Sequence, residues 1–156
     1  MKLLNNLIKT EKKEKTKTTS ICYINRSAMG GKKEQQVCTF ARFKGCKNLQ
    51  FITHDDVYLK EDVKNIMKLK NCKNIILFGV DRMGKDAKSC YQFLKFAKKR
   101  KVNVHIMDGN LSFYHKIRLP DFSENFFDVL QKMKKKEIDY LAEITKNQLM
   151  KLKNGE

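Results

Sequence analysis

The sequence predicts an α/β fold: a mainly parallel sheet of four or five strands, helices on both faces, and a long helix at the C-terminal end. Three observations carry this. Apolar runs alternate with helix-periodic segments in the order β-α-β-α-β-α-β, the pattern of strands joined by crossover helices. The run KNIILFGV (73–80) is apolar without alternation, as a strand covered on both faces is. From Asp121 to the end of the chain, apolar residues recur at helical spacing among lysines.

The elements follow in order. Residues 1–19 are rich in Lys, Glu and Thr without sustained periodicity and read as a flexible basic arm. ICYI (21–24) is a short buried strand that breaks into NRSAMGG. The next segment, KKEQQVCTFARFKG, puts Val37, Phe40 and Ala41 on one helical face, with Gly45 as its stop. LQFIT is a second strand, ending near Asp55 and Asp56. Leu59, Val63, Ile66 and Met67 then mark a second helix, and KNIILFGV is the third strand. A helix over 86–100 buries Cys90, Phe93, Leu94 and Ala97. VNVHIM is the fourth strand, and LSFYHKI supplies an edge strand. Residues 20–120 therefore form the α/β domain and 121–156 one long basic helix starting after Pro120. Its apolar face is Phe126, Val129, Leu130, Met133, Ile138, Leu141 and Ile144.

The 156 residues suit one domain with a real core, and 41% of them are hydrophobic. Against 17 Asp and Glu stand 34 Lys and Arg, a net charge of +17 that attracts polyanions, nucleic acid above all. Heavy lysine use from an A/T-rich genome is the bland explanation of the same charge. The cysteines at 22, 38, 46, 72 and 90 include no CxxC pair and no zinc-site spacing with histidine, so reduced thiols in a cytoplasmic setting and no metal are expected. No stretch reads as a signal peptide or a membrane span, so the chain is expected to be neither secreted nor membrane-bound.

In an open α/β sheet, ligands bind outside the carboxyl ends of the strands where strand order reverses. Two such ends carry suggestive residues: NRS after the first strand and DRMGK after the third, with Asp81, Arg82 and Lys85. A serine attacking a phosphate needs cations on the non-bridging oxygens, and arginine grips two of them at once. The bland alternatives are a turn serine at Ser27 and a helix-capping Asp-Arg loop with a surface ion pair.

Together YINRS, Gln36 nine residues after its serine, VDRMGKD, and the closing strand and long helix resemble the catalytic domain of the serine recombinases, the resolvases and invertases. The resemblance runs from about Ile21 to Gly155. It implies a metal- and cofactor-free reaction on double-stranded DNA, in which Ser27 attacks a phosphodiester to give a covalent 5′-phosphoserine link. Carried over by position, Tyr23 takes the tyrosine place of the strand-one motif, Gln36 the helix glutamine, and Asp81 and Arg82 the second signature. Asp55, or else its neighbour Asp56, stands for an acidic residue after strand two. Three departures thin the arginine cage. Asn25 occupies an arginine place, with Arg26 one position later. Lys85 replaces the last arginine of the second signature, and the loop after strand two holds none. Each missing charge-assisted contact costs on the order of a hundredfold in rate.

The resemblance further implies DNA contacts from the long helix through Lys132, Lys134, Lys135, Lys136 and Lys146. It implies a homodimer that pairs into a tetramer on DNA. The family's separate DNA-reading module has no counterpart in these residues, so a second DNA-binding protein is an expected partner. Two other readings stand beside recombination. One is a catalytically impaired relative acting as a DNA-binding or oligomerisation protein. The other is a flavodoxin-type small-ligand domain, for which the sequence offers no phosphate loop. His54, His105 and His115 are isolated, and no catalytic role is expected of them. The phenylalanines at 40, 43, 93, 96, 126 and 127 follow helical faces and read as core and interface.

Overall fold

The computed structural model describes residues 19–25, 31–54, 65, 67, 68 and 71–155. Five strands form one sheet in the order β2-β1-β3-β4-β5: β1 is Thr19–Asn25, β2 Leu49–His54, β3 Cys72–Leu77, β4 Asn103–Ile106 and β5 Leu111–Phe113. The first four are parallel, and β5 closes one edge antiparallel to β4. Three helices are α1 (Gly31–Phe43), α2 (Ala87–Lys99) and α3 (Phe126–Lys153). The helix expected between β2 and β3 lies mostly outside the described residues. Of it, Asn65 and Met67 are helical and Met67 is buried in the core.

Strand alternation explains the two-sided core. Ile21, Ile75, Leu77, Val104, Ile106, Leu111 and Phe113 share one face and pack against Phe93, Leu94 and Ala97 of α2. Their neighbours Cys22 and Ile76 point the other way, to Val37 and Ala41 of α1. The second face changes character toward its β5 edge. Asn74, His105 and Ser112 stand where apolar side chains would continue the pattern, and His105 shares hydrogen bonds with Ser112 Oγ (2.7 Å) and Asn74 Oδ1 (3.0 Å).

Local chemistry sets the helix ends. Gly45, at φ +82°, supplies the left-handed residue that ends α1. Asp86 caps α2 by accepting the Ser89 amide at 2.8 Å, and the buried residues of α2 are the four expected. The long helix departs from expectation at its start. It begins at Phe126, not near Asp121, with Asn125 as its cap accepting from Phe127 N at 3.2 Å. The intervening residues are held outside the helix: the Tyr91 hydroxyl donates to Pro120 O (2.6 Å), and Phe122 sits edge-on to the Tyr91 ring. Pro120 thus anchors a connecting segment and does not open the helix.

The buried stripe of α3 also differs. Val129 and Met133 enter the core, but the next buried position is Glu137, while Ile138 (60% exposed) and Leu141 (42%) face outward. The stripe steps on by four from Met133 to Glu137 because Lys44 and the Ser112 amide satisfy that carboxylate. Beyond Tyr140, all described residues except Ile144 are exposed. Of the phenylalanines expected to be covered, Phe43 (79%) and Phe127 (61%) are not. All five cysteines are free thiols; four are buried, and Cys38 is half-buried. Among the described residues no helix is long and apolar enough to cross a membrane.

Candidate active site at the carboxyl edge of the sheet

The order β2-β1-β3 puts the topological switch point between β1 and β3, with Tyr23 paired to Leu77 across it. What leaves the carboxyl end of β3 is the turn that the sequence singled out. Phe78 and Gly79 lead into a single 3₁₀ turn, Val80–Arg82.

This turn is held by packing. Met83 is fully buried in the core, and the Cys90 thiol of α2 lies 3.8 Å from Val80 O and 3.6 Å from Gly84 O. Gly84 lies against the first turn of α2, where a Cβ would meet Ser89 Cβ at 2.5 Å. At Gly79 the backbone is extended, and a Cβ would stand 2.8 Å from Asp81 Oδ1, so glycine there leaves room for the carboxylate to fold back. The capping function belongs to Asp86, not to Asp81.

Asp81 and Arg82 form an unequal pair. Arg82 Nη1 lies 3.6 Å from Asp81 Oδ2, with the arginine side chain 8% exposed and the aspartate 69%. A cation is therefore anchored below the surface, with its carboxylate partner facing solvent. Lys85 is exposed on the same loop.

Other expected site residues distribute as follows. Gln36 is exposed on α1 and lines an open groove of about 680 Å³ with Gln35, Thr39, Phe40, Met107 and Asn110. That groove reaches the carboxyl edge, since Met107 N donates to Leu77 O and Asp108 N to Phe78 O, both at 2.9 Å. Gln36 thus faces the α1 side of the edge. Tyr23 belongs to β1 by its backbone, its side chain lying outside the described residues. Arg26, Ser27 and Asp55 also lie outside them, Ser27 following the last residue of β1 by two positions and Asp55 the last of β2 by one. Among the described residues no group of three or more His, Cys, Asp or Glu could hold a metal ion.

The lysines assigned to DNA do not share one face. Lys134 reaches Gly109 O (3.2 Å) in the β4–β5 turn, on the carboxyl-edge flank of α3. Lys132, Lys135 and Lys136 line a cleft with Arg118 on the opposite flank, and Lys146 lies on the exposed distal half.

The feature that sequence reasoning missed is a buried polar network. Lys44 Nζ and Glu137 Oε1 are 3.0 Å apart with side chains 8% and 6% exposed, and Glu137 Oε2 accepts the Ser112 amide at 3.1 Å. Ser112 continues to His105, whose imidazole is held down to a pKa of about 4 by burial first and by Lys44 second. One sequence signal pointed here: a glutamate four residues after Met133 on an otherwise apolar stripe.

The sequence matches no protein-family model, and no curated protein is significantly similar to it. The structure is similar to the crystal structure of a resolvase family site-specific recombinase from Streptococcus pneumoniae, with a TM-score of 0.51 and 9% identity over 88% of this chain and 99% of that one. At that identity the likeness is one of fold: this chain has a resolvase-like α/β architecture with a long C-terminal helix.

Proposed function

We propose that the chain is a site-specific DNA recombinase of the serine type, cutting and rejoining DNA through a covalent 5′-phosphoserine intermediate. The observation that carries this is the anchored Arg82, presented with Asp81 at the end of β3, beside the strand whose end precedes Ser27 by two residues. The Ser27 oxygen attacks the scissile phosphorus, forming a P–O bond to serine and releasing the 3′ oxygen as a hydroxyl. Attack by a 3′ hydroxyl on the phosphoserine reverses the step and restores Ser27, so the bond energy is conserved. Arg82 neutralises the non-bridging oxygens, with Lys85 and Arg26 assisting. Asp81 orients the guanidinium or takes part in proton transfer, and Tyr23, Gln36 and Asp55 support the site.

The apolar positions that α3 leaves exposed favour a homodimer, pairing into a tetramer across two double-stranded DNA sites. The chain works in the cytoplasm or whichever compartment holds its DNA. The second reading, an impaired relative that binds DNA or oligomerises without cutting, is favoured by one observation. Arg82 already lies 3.6 Å from a carboxylate, and the neighbouring cation is a lysine.

Covalent trapping decides between them. The protein and Ser27→Ala are incubated with supercoiled DNA from the native locus, stopped with denaturant and examined for protein on 5′ ends. The expected result is a Ser27-dependent adduct that falls about a hundredfold in Arg82→Ala. Salt-sensitive binding by folded protein without any adduct supports the non-cutting reading.

A further inference from the structure

The groove between α1 and the β4–β5 turn has a composition unlike the rest of the surface. Helix α1 supplies Gln35, Gln36, Thr39, Phe40 and Phe43, and the turn supplies Met107 and Asn110. No charged side chain lines it, in a chain of which 33% is charged and whose net charge is +17. Lys44, whose ammonium lies 5.6 Å from the centre of the Phe40 ring, is already paired with Glu137 at 3.0 Å. A phosphate therefore finds a far stronger partner in Arg82 than anywhere in this groove.

The polar groups that remain are amides. The Thr39 hydroxyl is committed to its own helix, donating to Gln35 O at 2.9 Å. Among the described residues no hydrogen bond engages the side-chain amides of Gln35, Gln36 or Asn110, and all three residues are exposed. Each amide offers a donor and an acceptor side by side, the combination that matches the edge of a nucleobase. Phe40 and Phe43, three positions apart on α1, and the Met107 thioether supply the apolar surface beside them. Phe43 is 79% exposed while Val37 and Ala41 cover the sheet, so its ring is open to a stacked partner.

Position links the groove to the proposed chemistry. Met107 N and Asp108 N donate to Leu77 O and Phe78 O, and a Cβ on Gly79 would stand 4.0 Å from Asp108 Cβ. The turn that walls the groove thus abuts the loop carrying Asp81 and Arg82. The volume of about 680 Å³ falls among small-molecule sites, about 300–1,000 Å³, and suits one base with its sugar. A solvated crease beside a helix is the bland reading. It does not explain why Glu34 and Arg42 of the same helix stay out of the groove while an uncovered phenylalanine stands in it.

We propose that this groove receives a single unpaired DNA base, stacked on Phe43 and held at its edge by Gln35, Gln36 and Asn110, from the strand whose phosphate is presented to Arg82. A base must leave the duplex stack to enter, so one that lacks a pairing partner enters at the least cost. This deepens, and rests on, the reading that the chain acts on DNA.

The test compares the affinity of the full chain for a fully paired duplex and for the same duplex carrying one extra, unpaired thymine. The wild type should prefer the bulged duplex. Phe43→Ala should lose about tenfold of that preference, and Gln35→Leu a smaller part of it. Both positions are exposed, so melting temperatures should be unchanged. Phe43→Trp, which keeps a stacking ring, should retain the preference. Lys85→Gln, which removes only charge, should weaken both probes alike and leave their ratio as it was. If the wild type binds paired duplex without preferring the bulge, or if Phe43→Ala keeps the preference, this inference fails and the recombinase reading stands. If neither probe is bound, both fail. If Phe43→Ala shifts sedimentation toward smaller species with the base preference intact, the groove is a contact between copies and the inference is overturned.

Discussion

Lys44 and Glu137, ninety-three residues apart, form a buried ion pair at 3.0 Å that joins the end of α1 to the buried stripe of α3. The Ser112 amide completes the coordination of the carboxylate. Removing one partner leaves the other charge buried and uncompensated, which costs about 3–5 kcal/mol, whereas replacing both with apolar residues is often close to neutral. Chemical denaturation should therefore find Glu137→Gln and Lys44→Met each strongly destabilised. The pair Lys44→Met/Glu137→Leu should be far more stable than the sum of its single changes, with a shortfall from the Ser112 amide. Additive losses would mean that the two side chains do not interact.

His105 makes stability depend on acid. Its pKa is about 4 in the fold against an ordinary 6.5, so the unfolded chain binds the proton more tightly. The contribution is complete above pH 6.5 and is lost as pH falls from there toward 4, by at most about 3 kcal/mol in all. Unfolding free energies measured across that window should slope upward with pH in the wild type. The slope should be shallower in His105→Gln, which keeps a hydrogen-bonding side chain but does not titrate.

The loop carrying Arg82 depends on one close approach. Gly84→Ala would drive a methyl group to within 2.5 Å of Ser89 Cβ, and overpacking of that kind costs about 1–3 kcal/mol. Gly109, at φ +89° with nothing within 4 Å of a built Cβ, is the useful contrast. Alanine there carries only the left-handed backbone penalty of about 1 kcal/mol. Calorimetry should rank Gly84→Ala below Gly109→Ala. In the proposed recombinase, only the former should also reduce adduct formation, because it displaces the turn bearing Arg82.

The unburied side of α3 makes a prediction about assembly. Phe127, Ile138, Leu149 and Leu152 are 60–74% exposed, and Ile138 and Leu149 stand about three turns apart on one flank. If a second copy covers that flank, Ile138→Lys/Leu149→Lys should shift the sedimentation of the protein toward the monomer at micromolar concentration while leaving its melting temperature as a monomer unchanged. A wild type that sediments as a monomer throughout would refute the dimer.

The core of the fold was legible because strand and helix periods are local. Ile75, Ile76 and Leu77 announce a strand covered on both sides, and Cys90, Phe93, Leu94 and Ala97 are the four residues that α2 buries. The start of α3 was not, since Asn125 wins over Pro120 only once Tyr91 and Phe122 hold the preceding segment against α2. Of the site, Asp81 and Arg82 were legible as a motif, but their unequal burial was not. What the sequence does not show is that Lys134 and Lys136 reach to opposite flanks of α3, toward Gly109 and Arg118.

By itself the sequence determined the class of fold, the charge that seeks a polyanion, and Gly45 as the end of α1, all properties of neighbours along the chain. Only the tertiary structure decided that Glu137 would be buried in place of Ile138, that β1 and β3 would lie side by side, and that the cations of α3 would meet Arg118 at the amino edge. Those outcomes depend on Lys44, Ser112 and the loop after β5, groups distant in sequence whose polar partners exist only once the sheet has formed.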